Sequence, residues 1–97
     1  MPHPLEVHLQ TGFTGQTVLV DLDGRRLAEV EARTPLQLGL AHRLTVQADV
    51  GQTLTISVPA RSLVHRYTIG AGDEVVTVNL DDAGLLVEPA RERPVYF

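Results

Sequence analysis

Hydrophobic and polar residues alternate along most of this chain, and glycine, proline or aspartate residues interrupt the alternation. The clearest case is residues 17–30, where Asp23-Gly24 separates two alternating stretches. An Asp-Gly pair in this position is a strong signal for a β-hairpin. The other stretches that predict strands are 5–10, 36–40, 44–50, 54–58, 63–69, 76–80 and 85–87. Together they predict an all-β fold, a two-sheet antiparallel β-sandwich of about eight or nine short strands.

The register of this hairpin follows from which residues must be buried. Val18 and Val20 form the inward set of the first strand, because the polar residues Thr17 and Asp21 occupy the alternate positions. The inward residues of the return strand are Ala28, Val30 and Ala32. A two-residue turn with regular pairing would place Val18 opposite Glu29 and bury a carboxylate. We therefore predict a three-residue, bulged loop in which Gly24 has a positive φ.

The same register places Leu19 and Leu27 together on the outer face of the hairpin. A cross-strand pair of exposed leucines can be the start of an apolar patch. We therefore expect the domain to self-associate, as a homodimer, through these two residues. Two alternatives stay open: the C-terminal residues Tyr96 and Phe97 cover the pair within the same chain, or the leucines are simply exposed.

Composition limits the class of protein. The length of 97 residues corresponds to a single domain, residues 1–97, with 1–4 as a loose lead-in and 90–97 as a C-terminal tail. The absence of cysteine excludes disulfides and thiolate metal sites, and no apolar stretch approaches the roughly 18 residues of a membrane span. The net charge of −4 comes without the basic cluster that nucleic-acid binding needs. No signal peptide is visible, so we expect a cytoplasmic protein.

Two features invite a metal-site interpretation. The run Asp21-Leu22-Asp23-Gly24 could begin a calcium loop, but Arg25 occupies the next ligand position, so a turn is favoured. Histidines at positions 3, 8, 42 and 65 show no short-range ligand spacing, so a zinc site would need a set assembled by the fold. We expect no metal and no cofactor. His65 is expected to be half-buried and hydrogen-bonded near a sandwich edge, and His8 to point outward.

The residues that nucleophilic catalysis requires are scarce. The only serines are Ser57, inside a predicted strand, and Ser62, in a break after Pro59. Neither lies in a nucleophile elbow, and no glycine-rich loop leads from a strand into a helix to hold phosphates. We therefore predict no catalytic residues and no enzymatic activity.

Aromatic residues suggest a second kind of function, because sugars stack on exposed rings in carbohydrate-binding sandwiches. Phe13, in the glycine-flanked loop 11–15, is the candidate ligand-binding residue. The alternative is that Phe13 caps one end of the core. The remaining rings, Tyr67, Tyr96 and Phe97, are scattered along the chain.

The C-terminal tail ends in Val95-Tyr96-Phe97, a short β-prone segment preceded by Pro94. Two interpretations stay open for it. The segment is disordered, or it adds to a sheet edge of its own chain or of a neighbouring chain.

Residues 20–24, which contain Asp23-Gly24, and the later Thr34-Pro35-Leu36 resemble the small bacterial PEGA-type sandwich domain. That family also combines an Asp-Gly hairpin with a downstream Thr-Pro-Leu entry into the next strand. The resemblance implies an accessory or scaffolding module without catalysis. The strand count is also similar to that of transthyretin-like domains, although the C-terminal Tyr-Arg-Gly-Ser of the hydrolases among them is missing here.

The sequence thus favours a non-catalytic interaction or assembly module that binds a protein partner or a second copy of itself. A carbohydrate- or other ligand-binding module is the second hypothesis, and an enzyme is the third.

Overall fold

The computed structural model describes residues 2–35 and 39–96, and within them the chain forms eight strands and one 3-10 turn. The strands are β1 (His3–Leu9), β2 (Thr14–Leu22), β3 (Arg25–Arg33), β4 (His42–Ala48), β5 (Thr53–Val58), β6 (Leu63–Thr68), β7 (Val75–Asp81) and β8 (Gly84–Pro89), with the 3-10 turn at Pro59–Arg61. The predicted all-β fold is confirmed. The strand predicted at 36–40 falls mostly on residues 36–38, which lie outside the described part of the chain.

The strands form two sheets of four. Sheet A has the order β4-β1-β7-β8, and sheet B has the order β3-β2-β5-β6, so the two-sheet sandwich is confirmed as well. All ladders are antiparallel except that of β1 with β7, which is parallel and runs from Glu6 opposite Val75 to Leu9 opposite Val78. β1 and β7 are separated by five strands in the sequence, so no short turn requires them to be antiparallel.

Strand β1 starts earlier than the sequence suggested. It begins at His3 and includes Pro4, both within the stretch expected to be a loose lead-in. Pro4 is tolerated because the ladder with β7 begins only at Glu6, so β1 has β4 as its single neighbour at Pro4.

The β2–β3 hairpin keeps the predicted inward register but reaches it differently. Val18 lies opposite Val30, and Val20 lies opposite Ala28, so apolar residues face apolar residues as expected. The connecting turn has only two residues, Asp23 and Gly24, so the predicted three-residue loop is wrong. Both turn residues have positive φ, 49° and 81°, which confirms the prediction for Gly24.

A β-bulge supplies the extra residue that the register needs. Asp21 pairs with Arg26 and Val20 pairs with Ala28, so Leu27 on β3 has no counterpart on β2. The bulge lies inside the return strand rather than in the turn, because an Asp-Gly pair already suits a two-residue hairpin turn. Two strand residues therefore oppose one on the partner at this point, and the alternation of faces along β3 is interrupted.

The core lies between the sheets and is built from aliphatic side chains of both. Its largest fully buried members are Phe13, Leu5, Leu9, Leu54, Ile56 and Ile69. Phe13 is 1% exposed and belongs to this cluster, which agrees with the core-capping interpretation of that ring.

Candidate interaction surfaces

The edge strands β3 and β4 lie on the same lateral side of the sandwich, and a cleft of about 710 Å³ separates them. Within the described residues, β3 pairs with β2 alone and β4 pairs with β1 alone. The apolar residues that line the cleft are Leu22, Leu27, Ala28, Leu44 and Val46. The polar ones are Asp23, Arg25, Thr45, Gln47 and Gln52. We call β3, β4 and this cleft the open edge.

The bulge decides where Leu27 points. Leu27 lines the cleft and is 37% exposed, whereas Leu19 lies on the outer face of sheet B, opposite Glu29 on β3 and Ser57 on β5. The predicted cross-strand pair of Leu19 and Leu27 therefore does not form. The physical reason is that Leu27 is itself the unpaired bulge residue, so it falls outside the regular alternation of faces along β3.

Carboxylates near the hairpin turn already have structural partners. Asp21 Oδ1 accepts a hydrogen bond from Arg26 Nε at 2.5 Å. Asp23 Oδ1 accepts one from the backbone N–H of Thr53 at 2.8 Å, and its Oδ2 accepts one from Gln52 Nε2 at 3.1 Å. These contacts agree with the turn interpretation of the calcium-like run. Among the described residues, no group of three or more histidines and carboxylates could hold a metal ion.

Two arginines flank the open edge without an ion pair to any other described residue. Arg25 lines the cleft beside Gln47, close to the C-terminal end of β4. Arg43 is exposed near the N-terminal end of the same strand. The open edge thus combines backbone that has no partner among the described residues, an apolar cleft and an exposed arginine towards each end. The charge of Arg43 also contributes to lowering the pKa of Glu6 on the neighbouring strand.

The C-terminal residues 90–96 cross the outer face of sheet A, and we call this segment the C-terminal strap. It continues from β8 with a hydrogen bond from the Ala90 N–H to the Val75 carbonyl at 2.8 Å. Further along, Arg93 pairs with Glu6 on β1. Neither of the two sequence-based interpretations describes this path, because the strap is placed across a sheet face rather than along an edge. Phe97 lies outside the described residues.

Tyr96 anchors the strap to a polar row on β1. Its Oη lies 2.8 Å from His8 Nδ1 and accepts a hydrogen bond from Gln10 Nε2 at 2.8 Å. His8 Nε2 lies 3.1 Å from Glu6 Oε1, so the imidazole connects Glu6 to Tyr96. The hydrogen bond from His8, together with the charge of Arg93, holds the pKa of Glu6 below its usual value. Tyr96 therefore does not cover the hairpin leucines, which belong to sheet B.

His8 points to the outer face as predicted, but it is only 1% exposed. Its neighbours on β7, Val75 and Thr77, also face outward and are buried. The missed signal was the continuous run Val75-Val76-Thr77-Val78, since strands covered on both faces lose the polar half of their alternation.

The other residues that the sequence singled out lie in the core, in a strand or in a turn. Phe13 presents no ring face to solvent, so the residue on which the carbohydrate hypothesis rested lies in the core. Tyr67 donates a hydrogen bond to Asp73 Oδ2 at 2.6 Å, and burial together with this contact raises the pKa of Tyr67 well above its usual value. His65 is half-buried on the inner face of β6, opposite Ile56. Neither Ser57 nor Ser62 bonds through its side chain to another described residue.

Comparison of the chain with protein families, curated proteins and solved structures finds no match. Among the described residues, no helix is long and apolar enough to cross a membrane. Among the features described above, the open edge is the one that suggests a function.

Proposed function

We propose that this protein is a non-catalytic interaction module and that it binds a partner protein at its open edge. The observation that carries the proposal is the apolar cleft between two edge strands, each with one side that no described strand pairs with. Unpaired strand edges are templates for pairing with another chain, and partly exposed apolar side chains beside them add contact area. The resemblance to PEGA-type domains, which implies an accessory module, points in the same direction.

The test is to compare what wild type and two matched variants bind. Ala28→Ile places a larger side chain in the lining of the cleft. Val64→Ile makes a similar enlargement at a 58% exposed position of another edge strand, β6. Each protein is immobilised and exposed to lysate, and the retained proteins are quantified. We expect a partner that wild type and Val64→Ile retain and that Ala28→Ile loses. A partner retained equally by all three, or none at all, would contradict binding at the open edge.

Self-association is one form of this function, and it now depends on Leu27 rather than on a pair of leucines. Sedimentation at micromolar concentration distinguishes the surfaces, using Leu27→Glu at the cleft and Leu19→Glu on the outer face of sheet B. A dimer that Leu27→Glu converts to a monomer, and that Leu19→Glu leaves intact, would support a homodimer through the open edge. A wild type that sediments as a monomer would assign the open edge to a different partner.

The ligand-binding hypothesis is weaker, because Phe13 is buried and no aromatic ring in the described part of the chain lines the cleft. A glycan array probed with wild type and Ala28→Ile tests it directly. Binding that Ala28→Ile abolishes would favour this alternative.

A further inference from the structure

We propose that the open edge takes up an extended segment of another protein, which pairs with β4 and carries acidic residues towards both of its ends. This inference rests on the proposed function and adds the chemistry of the partner. It assigns the backbone contacts to β4, the aliphatic contacts to the cleft and the charged contacts to Arg25 and Arg43.

β4 is the better template of the two edge strands. Its ladder with β1 runs through seven consecutive pairs, from His42 opposite Leu9 to Ala48 opposite His3, without a shift of register. Its outer side therefore presents regularly spaced N–H and C=O groups from alternate residues. β3 in contrast is bulged at Leu27, and bulges are among the devices that protect an edge from added strands.

The two edges also differ in the kinds of charge they carry. β4 contains Arg43 and no acidic residue, whereas β3 combines Arg25, Arg26 and Arg33 with the exposed Glu29 and Glu31, which would repel an acidic segment. Arg43 is near one end of β4, and Arg25 lines the cleft beside Gln47 near the other. The distance along β4 from Arg43 to Gln47 is about 13 Å, roughly four residues of extended chain. Arg43 lies opposite His8 and therefore faces outward, whereas Arg25 lines the cleft. A segment can meet both arginines with one acidic residue that faces outward and a second, near its other end, that faces the cleft.

The cleft defines what lies between the acidic residues. A strand added beside β4 directs alternate side chains towards the cleft, where Leu27, Ala28 and Leu44 form apolar walls. Aliphatic residues at alternate positions therefore fit, while the residues between them face outward. A second copy cannot supply this segment from its own β4, because two strands that carry arginine and no acid would then be paired.

The probes are four synthetic peptides titrated into isotope-labelled protein and followed by amide chemical shifts. The first is acetyl-Glu-Ile-Thr-Val-Thr-Glu-Thr-amide, whose two glutamates lie on opposite faces of an extended chain, and the second replaces both glutamates with lysine. The third and fourth are N-methylated versions of the first, one methylated at odd and one at even positions. Only one of these two sets of N–H groups can face β4 in a given register.

We expect the acidic peptide to shift the amide signals of β4 and the cleft residues, and the lysine peptide to bind about tenfold more weakly. One N-methylated version should lose binding while the other retains it. Arg43→Gln and Arg25→Gln should weaken the acidic peptide, and Arg66→Gln, on the edge strand β6, should not.

Equal binding of the acidic and lysine peptides, or equal loss from both N-methylated versions, would overturn this inference. Shifts centred on β3 rather than β4 would also overturn it. If no peptide binds while the lysate experiment still yields a partner that Ala28→Ile loses, the proposed function stands and only the acidic segment is wrong. If Ala28→Ile changes neither peptide binding nor the proteins retained from lysate, the proposed function fails as well.

Discussion

The two lateral sides of the sandwich are bounded by the same kind of edge strand but differ in how far they are closed. On one side, β6 and β8 direct Leu63, Tyr67 and Leu85 inward, and all three pack against the core. A methyl group on Gly84 of β8 would lie only 3.5 Å from Leu63 Cδ2, so the strands are in contact. We call this the closed side. On the other side, the inward residues of β3 include Ala28 and Ala32.

The difference shows that inward side-chain volume, rather than strand pairing, decides whether a sandwich edge is closed. All four edge strands are hydrogen-bonded to one neighbour within their sheet. Leucine and tyrosine fill the space between β6 and β8. On the other side Val30 and Ala32 pack into or against the core, but the small Ala28 lines a cleft that the facing Leu44 and Val46 only partly fill. Close packing is the ordinary condition of protein interiors, so an unfilled apolar space at an edge is the exception.

The largest expected effect comes from truncating one leucine on each side of the sandwich to alanine. Leu63→Ala removes packing from the closed side and should lower the free energy of unfolding by about 2 kcal/mol. Leu27→Ala should cost less than about 1 kcal/mol, because Leu27 is partly exposed and lies outside the core cluster. Urea denaturation measures both. Equal losses would contradict the distinction between the sides.

Tyr67 tests a polar contribution to the closed side. Tyr67→Phe removes the hydrogen bond to Asp73 and should lower the free energy of unfolding by about 1.5 kcal/mol, the usual range for a bond to a carboxylate. A double-mutant cycle with Asp73→Asn isolates the pair. A coupling energy near zero would mean that the phenol ring alone stabilises this region.

Gly24 tests the turn at the end of the open edge. Apart from its chain neighbours, no described residue has an atom within 4 Å of the position that its Cβ would occupy, so a substitution acts mainly through its φ of 81°. Gly24→Val should cost about 1 kcal/mol, because β-branched residues poorly tolerate this conformation. Gly24→Asn, which tolerates positive φ, is the matched control and should cost less. If Gly24→Val and Gly24→Asn had the same midpoint of thermal unfolding, the positive φ assigned to Gly24 would be contradicted.

Ala28→Ile should convert the open edge into a more closed one with little change in stability, within about 0.5 kcal/mol in either direction. Ala28 packs against the core but also lines the cleft, so the added carbon atoms have space to enter the cleft and overpacking is limited. A loss as large as that of Leu63→Ala would show that Ala28 lies against a wall with no free space.

The smallest effect concerns the C-terminal strap, which belongs to neither side and serves as a control region. Because the pKa of Glu6 is lowered in the folded protein, its contribution to stability is present above the unfolded value of about 4.5 and is lost as pH falls through the folded value. Glu6→Gln should therefore flatten the decline in stability below pH 4.5. The slope is measured by urea denaturation at several pH values, with Glu92→Gln as the control. An unchanged slope would contradict the assigned contact with His8.

Alternation of residue types was enough to predict the fold class, most strands and the inward faces of the hairpin. It could not locate the bulge, because a bulge at Leu27 and a longer turn at Asp23-Gly24 satisfy the same inward pattern. It also could not predict the parallel β1–β7 ladder, which depends on a contact between distant strands. The strap and the cleft were missed because both follow from tertiary packing, although Val75 beside Val76 carried a readable signal.

The pairing of β1 with β7 also has a consequence for how the chain acquires its structure. The hairpin β2–β3 can form from adjacent sequence, whereas Glu6 meets Val75 across about 70 residues. Closing so long a loop costs entropy before the contacts of sheet A can compensate for it. On a ribosome, which synthesises the N-terminus first, sheet B can therefore start to assemble while sheet A waits. β1 leaves the ribosome before β2 to β8, yet it is among the last of these strands to find both of its neighbours.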